Sequence, residues 1–118
     1  MKIPFTDLPA QNAECRSDID AAIKDYIDRA SFITGPDVEK FERIIADYLQ
    51  ADDCAATGSG TTALQVALLS CGIGKGDEVI STSHTFVSTP EAIINVGATP
   101  VMVDVDEYYN MDVELIEE

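Results

Sequence analysis

Gly58-Ser59-Gly60-Thr61-Thr62-Ala63-Leu64 (residues 58–64) joins the apolar run Cys54-Ala55-Ala56 to the helical pattern Leu64, Ala67, Leu68. The reading of this strand-to-helix turn decides the fold class. The first N–H groups of a helix have no intrahelical partner, and the helix dipole places partial positive charge where they point. Such a turn is a cradle for a phosphate. Glycines at 58 and 60 let a ligand approach the backbone, and Ser59, Thr61 and Thr62 offer further hydroxyl donors. An ordinary helix cap, with Ser59 or Thr61 as the capping residue, explains the same letters, so the turn has to be read in context.

Outward from the turn, the rhythm from residue 54 is strand, helix, strand, helix, strand: 54–57, 61–71, 78–82, 89–96 and 101–105. The strands are short and apolar, as in a buried parallel sheet, which predicts a right-handed βαβαβ series of the α/β class. Two helices precede it. Ile19, Ala22, Ile23, Tyr26, Ile27 and Ala30 form one amphipathic stripe that should end near Ser31. Gly35-Pro36 opens a second helix with Pro at its first position and Val38, Phe41, Ile45, Tyr48 and Leu49 facing inward.

Open sheets of this kind bind ligands beyond the carboxyl ends of their strands. That rule places residues 59–62 and 83–88 together, one segment suited to a phosphate and the other carrying Phe86, whose ring could stack on a flat heterocycle or serve as core. His84 faces a substrate or simply caps its loop.

Composition bounds the partners. Seven basic against 22 acidic residues in a chain of 118 give a net charge of −15, which argues against nucleic acid and anionic membrane surfaces. One phosphate group is not excluded, because it responds to local N–H donors more than to a surface field screened within about 8 Å. Cys15, Cys54 and Cys71 show no disulfide or C-x-x-C spacing and suggest a reducing compartment, with Cys54 and Cys71 read as small core side chains. A lone histidine defines no zinc site. No signal peptide opens the chain and no apolar run approaches the ~18 residues of a membrane span, so a cytoplasmic location is expected.

Further segments carry a resemblance. Ile3-Pro4-Phe5, Gly35-Pro36-Asp37-Val38-Glu39-Lys40-Phe41-Glu42, the Gly58–Leu64 turn, Gly72-Ile73-Gly74-Lys75-Gly76-Asp77-Glu78-Val79-Ile80, Thr85-Phe86-Val87-Ser88-Thr89 and Gly97-Ala98-Thr99-Pro100-Val101-Met102-Val103-Asp104 follow in series. In this order and spacing the chain resembles the amino-terminal part of the DegT/DnrJ/EryC1/StrS family, the pyridoxal-phosphate-dependent aminotransferases of nucleotide-sugar biosynthesis. The resemblance implies the start of the large domain of a fold type I transferase: a single partial domain over 1–118, with a helical amino-terminal segment at 1–52 and the beginning of the pyridoxal-phosphate-binding α/β domain at 53–118. It also implies that Gly60, Thr61 and Thr62 hold the cofactor phosphate, that Phe86 stacks on the pyridine ring, and that Thr34 and Gly35 border the sugar-nucleotide pocket, although helix-start geometry accounts for Gly35 equally well.

Family members are much longer, and their Schiff-base lysine and the aspartate that pairs with the pyridine nitrogen lie beyond the part matched. The ending Val113-Glu114-Leu115-Ile116-Glu117-Glu118 reads as the first turns of a helix cut short. The expectation is therefore a fragment with no catalytic residue of its own. The complete enzyme would transfer an amine, typically from glutamate, to a keto-sugar nucleotide, or dehydrate the sugar where histidine replaces the lysine. A free-standing cofactor- or phosphate-binding module and a relic or interaction fragment are the alternatives. Family members are usually homodimers, and a sheet lacking its later strands would leave edges and apolar faces that invite self-association.

Overall fold

A computed structural model describes residues 5–116; Lys2, the Ile3-Pro4 pair and the final Glu117-Glu118 lie outside the described residues. The chain divides into two compact units, one running to Cys54 and the other from Ala55.

The first unit holds helix α1 (Leu8–Arg29) and helix α2 (Pro36–Leu49). Helix α1 begins well before the apolar stripe that announced it, because the Asp7 carboxylate accepts the Ala10 N–H and Pro9 sits in the first turn, where its missing N–H costs nothing. It ends at Ala30 in the left-handed conformation, close to the expected Ser31. Pro36 opens α2 as expected. Along α1, Arg16 pairs with Asp20 at 2.7 Å and Lys24 with Asp28, exposed i,i+4 pairs that each contribute about 0.3–0.5 kcal/mol.

Arg29 ties the two helices together. Its guanidinium reaches Asp25 at 2.7 Å and Asp37 at 3.0 Å while lying 5.0 Å over the Tyr26 ring. Hydrogen bonds from Arg29 and Tyr26 hold the Asp37 carboxyl below its ordinary range. Of the inward face expected for α2, Ile45 is half-buried and Val38, Phe41, Tyr48 and Leu49 are exposed; the buried residue of the helix is Ala46, which that face did not include. Periodicity specifies which residues share a helix face, but not which element will cover it.

The second unit is built on strand β1 (Glu78–Thr82) and strand β2 (Thr99–Val103), which run parallel with Glu78 opposite Thr99 and Thr82 opposite Val103. Helix α4 (Ser88–Asn95) is the crossover and packs on both strands, and helix α3 (Gly60–Ser70) packs on α4. The core is small: Ala92, Ile93, Ala98 and Ser81 are buried. Full burial of an isoleucine such as Ile93 is worth about 2 kcal/mol, and the alanines beside it permit close helix-to-sheet contact.

The α/β class and the parallel pairing are as expected, and the strand at 78–82 falls on its predicted bounds. Residues 54–57, predicted as the first strand, join no sheet among the described residues: an extended apolar segment becomes a strand only when another backbone lies alongside, and the sheet has two strands. Nor do Cys54 and Cys71 belong to the core; Cys54 is half-buried, while Cys71 is exposed at the end of α3, where the chain turns through Gly72. Of the terminal helix predicted from 113, a 3-10 turn at Val113–Leu115 is formed, capped by the Asp112 carboxylate on the Glu114 N–H.

The turn from α4 into β2 is a glycine C-cap. Gly97 has φ +89°, with the Ala98 N–H donating to the Ile93 carbonyl and the Gly97 N–H to the Ile94 carbonyl. A Cβ at this position would also stand 3.5 Å from the Lys75 backbone nitrogen. Gly97→Ala is therefore expected to destabilise the second unit by about 1–2 kcal/mol, the cost of a left-handed L-residue, read as a lower denaturant midpoint. The Asp37 contact sets a second expectation. A carboxyl whose pKa is lowered on folding adds stability above its ordinary value of 3.8 and loses it as pH falls through the lower folded value. Acidification from pH 7 to below 3.8 should lower the protection factors, the exchange rates corrected for the intrinsic pH dependence of amide exchange, at the α1–α2 junction, and Asp37→Asn should show the lower protection already at neutral pH with that acid dependence gone.

Candidate functional site

Of the two capping candidates at the start of α3, the structure selects Ser59. Its backbone is extended, its Oγ accepts the Thr62 N–H at 3.1 Å and lies 3.0 Å from Thr62 Oγ1, and its carbonyl accepts the Ala63 N–H at 2.9 Å. The Thr57 hydroxyl donates to the same carbonyl at 3.0 Å. The cap consumes the Thr62 and Ala63 amides. The Gly60 and Thr61 N–H groups belong to the helix-opening set that has no intrahelical acceptor, at the positive end of the dipole. A Cβ placed at Gly58 or Gly60 would meet nothing within 4 Å, so the backbone is open to an approaching group on this side. Thr61 is half-buried and Thr62 exposed.

The segment after β1 is stitched to the sheet. Ser83 N–H donates to the Val103 carbonyl at 2.9 Å, His84 N–H to Thr82 Oγ1 at 3.3 Å, and Thr89 N–H to the Phe86 carbonyl at 3.0 Å, while the Thr85 and Thr89 hydroxyls lie 3.1 Å apart. These bonds fix the backbone and leave the Phe86 ring 76% exposed at the edge of an open depression of about 440 Å³ lined by Ser83, His84, Thr85 and Phe86. Phe86 thus lies outside the small core that the described residues form.

Topology brings the two segments to one end of the sheet. Helix α3 enters β1 through the short connection at 71–77, so its first turn lies toward the carboxyl end of β1, where α4 also begins. Leu64 from α3, Thr89 from α4 and Ser81 from β1 line one small apolar cavity of about 130 Å³, consistent with that alignment. Lys75 lies exposed in the turn at the opposite, amino-terminal end of β1. His84 does not act as a cap: its ring packs against Tyr109, with centroids 5.4 Å apart and planes at 37°. Tyr109 was not legible as a site residue, because the contact is made across the sheet end by a residue in a turn of positive φ, and no periodicity reports that. No group of three or more His, Cys, Asp or Glu side chains among the described residues is arranged to hold a metal ion.

A family model described as the DegT/DnrJ/EryC1/StrS aminotransferase family matches residues 13–118. The chain belongs to this family. At 40% identity over 116 residues it is similar to the UDP-2-acetamido-2-deoxy-3-oxo-D-glucuronate aminotransferase of Pseudomonas aeruginosa, covering 98% of this chain and 32% of that protein. At 43% over 106 residues it is similar to the dTDP-3-amino-3,4,6-trideoxy-alpha-D-glucose transaminase of Streptomyces venezuelae, with 90% and 28% covered. The chain thus spans under a third of the length of these curated relatives. Among solved structures, ntda from Bacillus subtilis with bound cofactor PMP superposes with a TM-score of 0.92 at 31% identity, over 98% of this chain and 27% of that one. This DegT/DnrJ/EryC1/StrS chain is therefore an aminotransferase-family α/β chain whose described helices include none long and apolar enough to cross a membrane.

The cap generates its own expectation. Ser59→Ala removes the acceptor for the Thr62 N–H and should destabilise the second unit by about 1 kcal/mol, with Ser59→Asp restoring most of the loss, as read from urea midpoints.

Proposed function

We propose that this chain is the cofactor-holding amino-terminal part of a pyridoxal-phosphate-dependent aminotransferase that aminates a keto-sugar nucleotide, with glutamate as amino donor. The observations that carry the reading are a helix start open at Gly60, on a helix whose first turn lies toward the carboxyl end of β1, and an exposed, backbone-fixed Phe86 in the segment that follows β1. One element suits a phosphate and the other a flat ring, the two halves of this cofactor. The UDP- and dTDP-linked sugars in the names of the relatives support the substrate class.

The donor set fits the group. Gly60 and Thr61 contribute backbone N–H groups, Thr62 contributes a hydroxyl already aligned by Ser59, and Phe86 offers its face. When bound, the cofactor supplies a pyridine ring that draws electrons from the carbon bearing the amine. The chain's own part is to bind and orient: the Gly60 and Thr61 amides with the Thr62 hydroxyl would hold the phosphate, and the Phe86 ring would stack on the heterocycle. Moving protons at that carbon requires a base, and no described lysine is placed for it. Lys24 is paired with Asp28 on α1, Lys40 is exposed on α2, and Lys75 stands at the far end of β1. On this reading catalysis belongs to residues outside the described set, and the 118 residues alone would be inactive.

The same reading has the protein working in the cytoplasm as a homo-oligomer. Its three cysteines are free, and the apolar faces of α1 and α2 present Ile19, Ile23, Phe41 and Leu49 to solvent, surface that association would cover.

Titration with pyridoxal phosphate, followed by its absorbance band after dialysis, tests the binding claim. The wild-type chain should retain the band, and Gly60→Asp should weaken binding by about tenfold or more, since a carboxylate set before the open amides repels the phosphate. A wild type without a band, or a Gly60→Asp variant that binds equally, overturns the reading.

A further inference from the structure

The His84–Tyr109 contact joins two segments that follow different strands. Tyr109 stands in the turn after β2, at φ +62°, a conformation that a bulky L-residue adopts only when its surroundings impose it. The surroundings are visible. Asp106 Oδ1 accepts the N–H groups of Tyr108 at 2.8 Å and Asn110 at 2.9 Å, the Asp106 carbonyl accepts the Tyr109 N–H at 3.1 Å, and the Asp106 N–H donates to the Asn110 carbonyl at 2.9 Å. An antiparallel bridge between Val105 and Met111 closes the turn beneath it. The turn therefore delivers an aromatic ring to a fixed point, on a residue that stays 72% exposed with its contacts made. What it meets is the imidazole of His84, two residues before Phe86 in the segment that lines the open depression.

We propose that Tyr109 is a positioning residue for the Phe86 segment: its ring holds His84 and thereby sets how the Phe86 ring is presented. This rests on the assignment of Phe86 as the stacking ring for pyridoxal phosphate. A segment already restrained at His84 loses less freedom when Phe86 takes up a flat ligand, so the contact should appear as affinity. Asp106 is the anchor of the device, because its single carboxylate oxygen fixes both flanks of Tyr109.

The test uses the sole histidine of the 118-residue chain, whose ring protons are assignable without ambiguity by NMR. Tyr109→Asn keeps a residue that tolerates positive φ and removes the ring; Tyr109→Phe keeps the ring and removes the hydroxyl. The expected result, measured without cofactor, is that the ring-current displacement of the His84 resonances is lost in Tyr109→Asn and kept in Tyr109→Phe, with thermal midpoints near wild type. Pyridoxal phosphate, titrated by its absorbance band, should then bind about fivefold more weakly to Tyr109→Asn than to wild type, the change expected from freeing one side chain, and normally to Tyr109→Phe. His84 resonances unmoved by Tyr109→Asn, or unchanged affinity once they have moved, overturn the positioning role. Failure of the wild type to bind at all overturns the cofactor assignment instead, and with it the positioning of a stacking ring, while the His84 resonances still report whether Tyr109 holds the imidazole.

Discussion

The parallel pairing of β1 with β2 is the constraint on which the second unit depends. Two parallel strands cannot be joined by a tight turn, so the chain must leave the end of one and travel back to the start of the other, and α4 is that return path. Once α4 covers the strands, its buried positions have to be small or branched, as Ala92 and Ile93 are, and its exit must reverse sharply through Gly97. The same geometry turns α3 so that its first turn faces the end of the sheet from which the Phe86 segment departs. A phosphate-suited helix start and an exposed ring at one edge are thus consequences of strand direction.

Hydrogen bonds local to each segment convert this placement into a usable surface. Ser59 satisfies Thr62 and Ala63, which leaves the earlier amides of α3 facing open space in front of Gly60. Around Phe86, bonds from Ser83, His84 and Thr89 fix the backbone while leaving the ring uncovered. Burying that ring would stabilise the fold by about 2 kcal/mol, so its exposure is a cost to folding that a flat ligand could offset. The first unit follows a different logic: its helices are capped and tied through Arg29, and most of the apolar stripe of α2 is exposed.

Much of this was legible in the letters. Local signals are short-range and survive in any context: Pro36 at a helix start, Ser59 as one of two candidate caps, and the strand at 78–82. Readings that needed a neighbour fared differently. Residues 54–57 have strand letters but no ladder, Cys71 sits beside apolar residues yet is exposed, and the α2 stripe was assigned an inward face that is mostly uncovered. The early start of α1 was missed because residues 8–18 are held by the Asp7 cap, without the apolar spacing that marks the later turns.

The sequence by itself determined the α/β class, the order of the helices, the parallel pairing and the helix start after Ser59, because periodicity and caps act over a few residues. It also carried the family resemblance that residues 13–118 bear out. Only the tertiary structure decided that residues 54–57 stay outside the two-stranded sheet, that Lys75 stands at the amino-terminal end of β1, and that Tyr109 rather than a loop cap receives His84. Those are relations between segments far apart in the chain, and they exist only once strand pairing has chosen which ends meet.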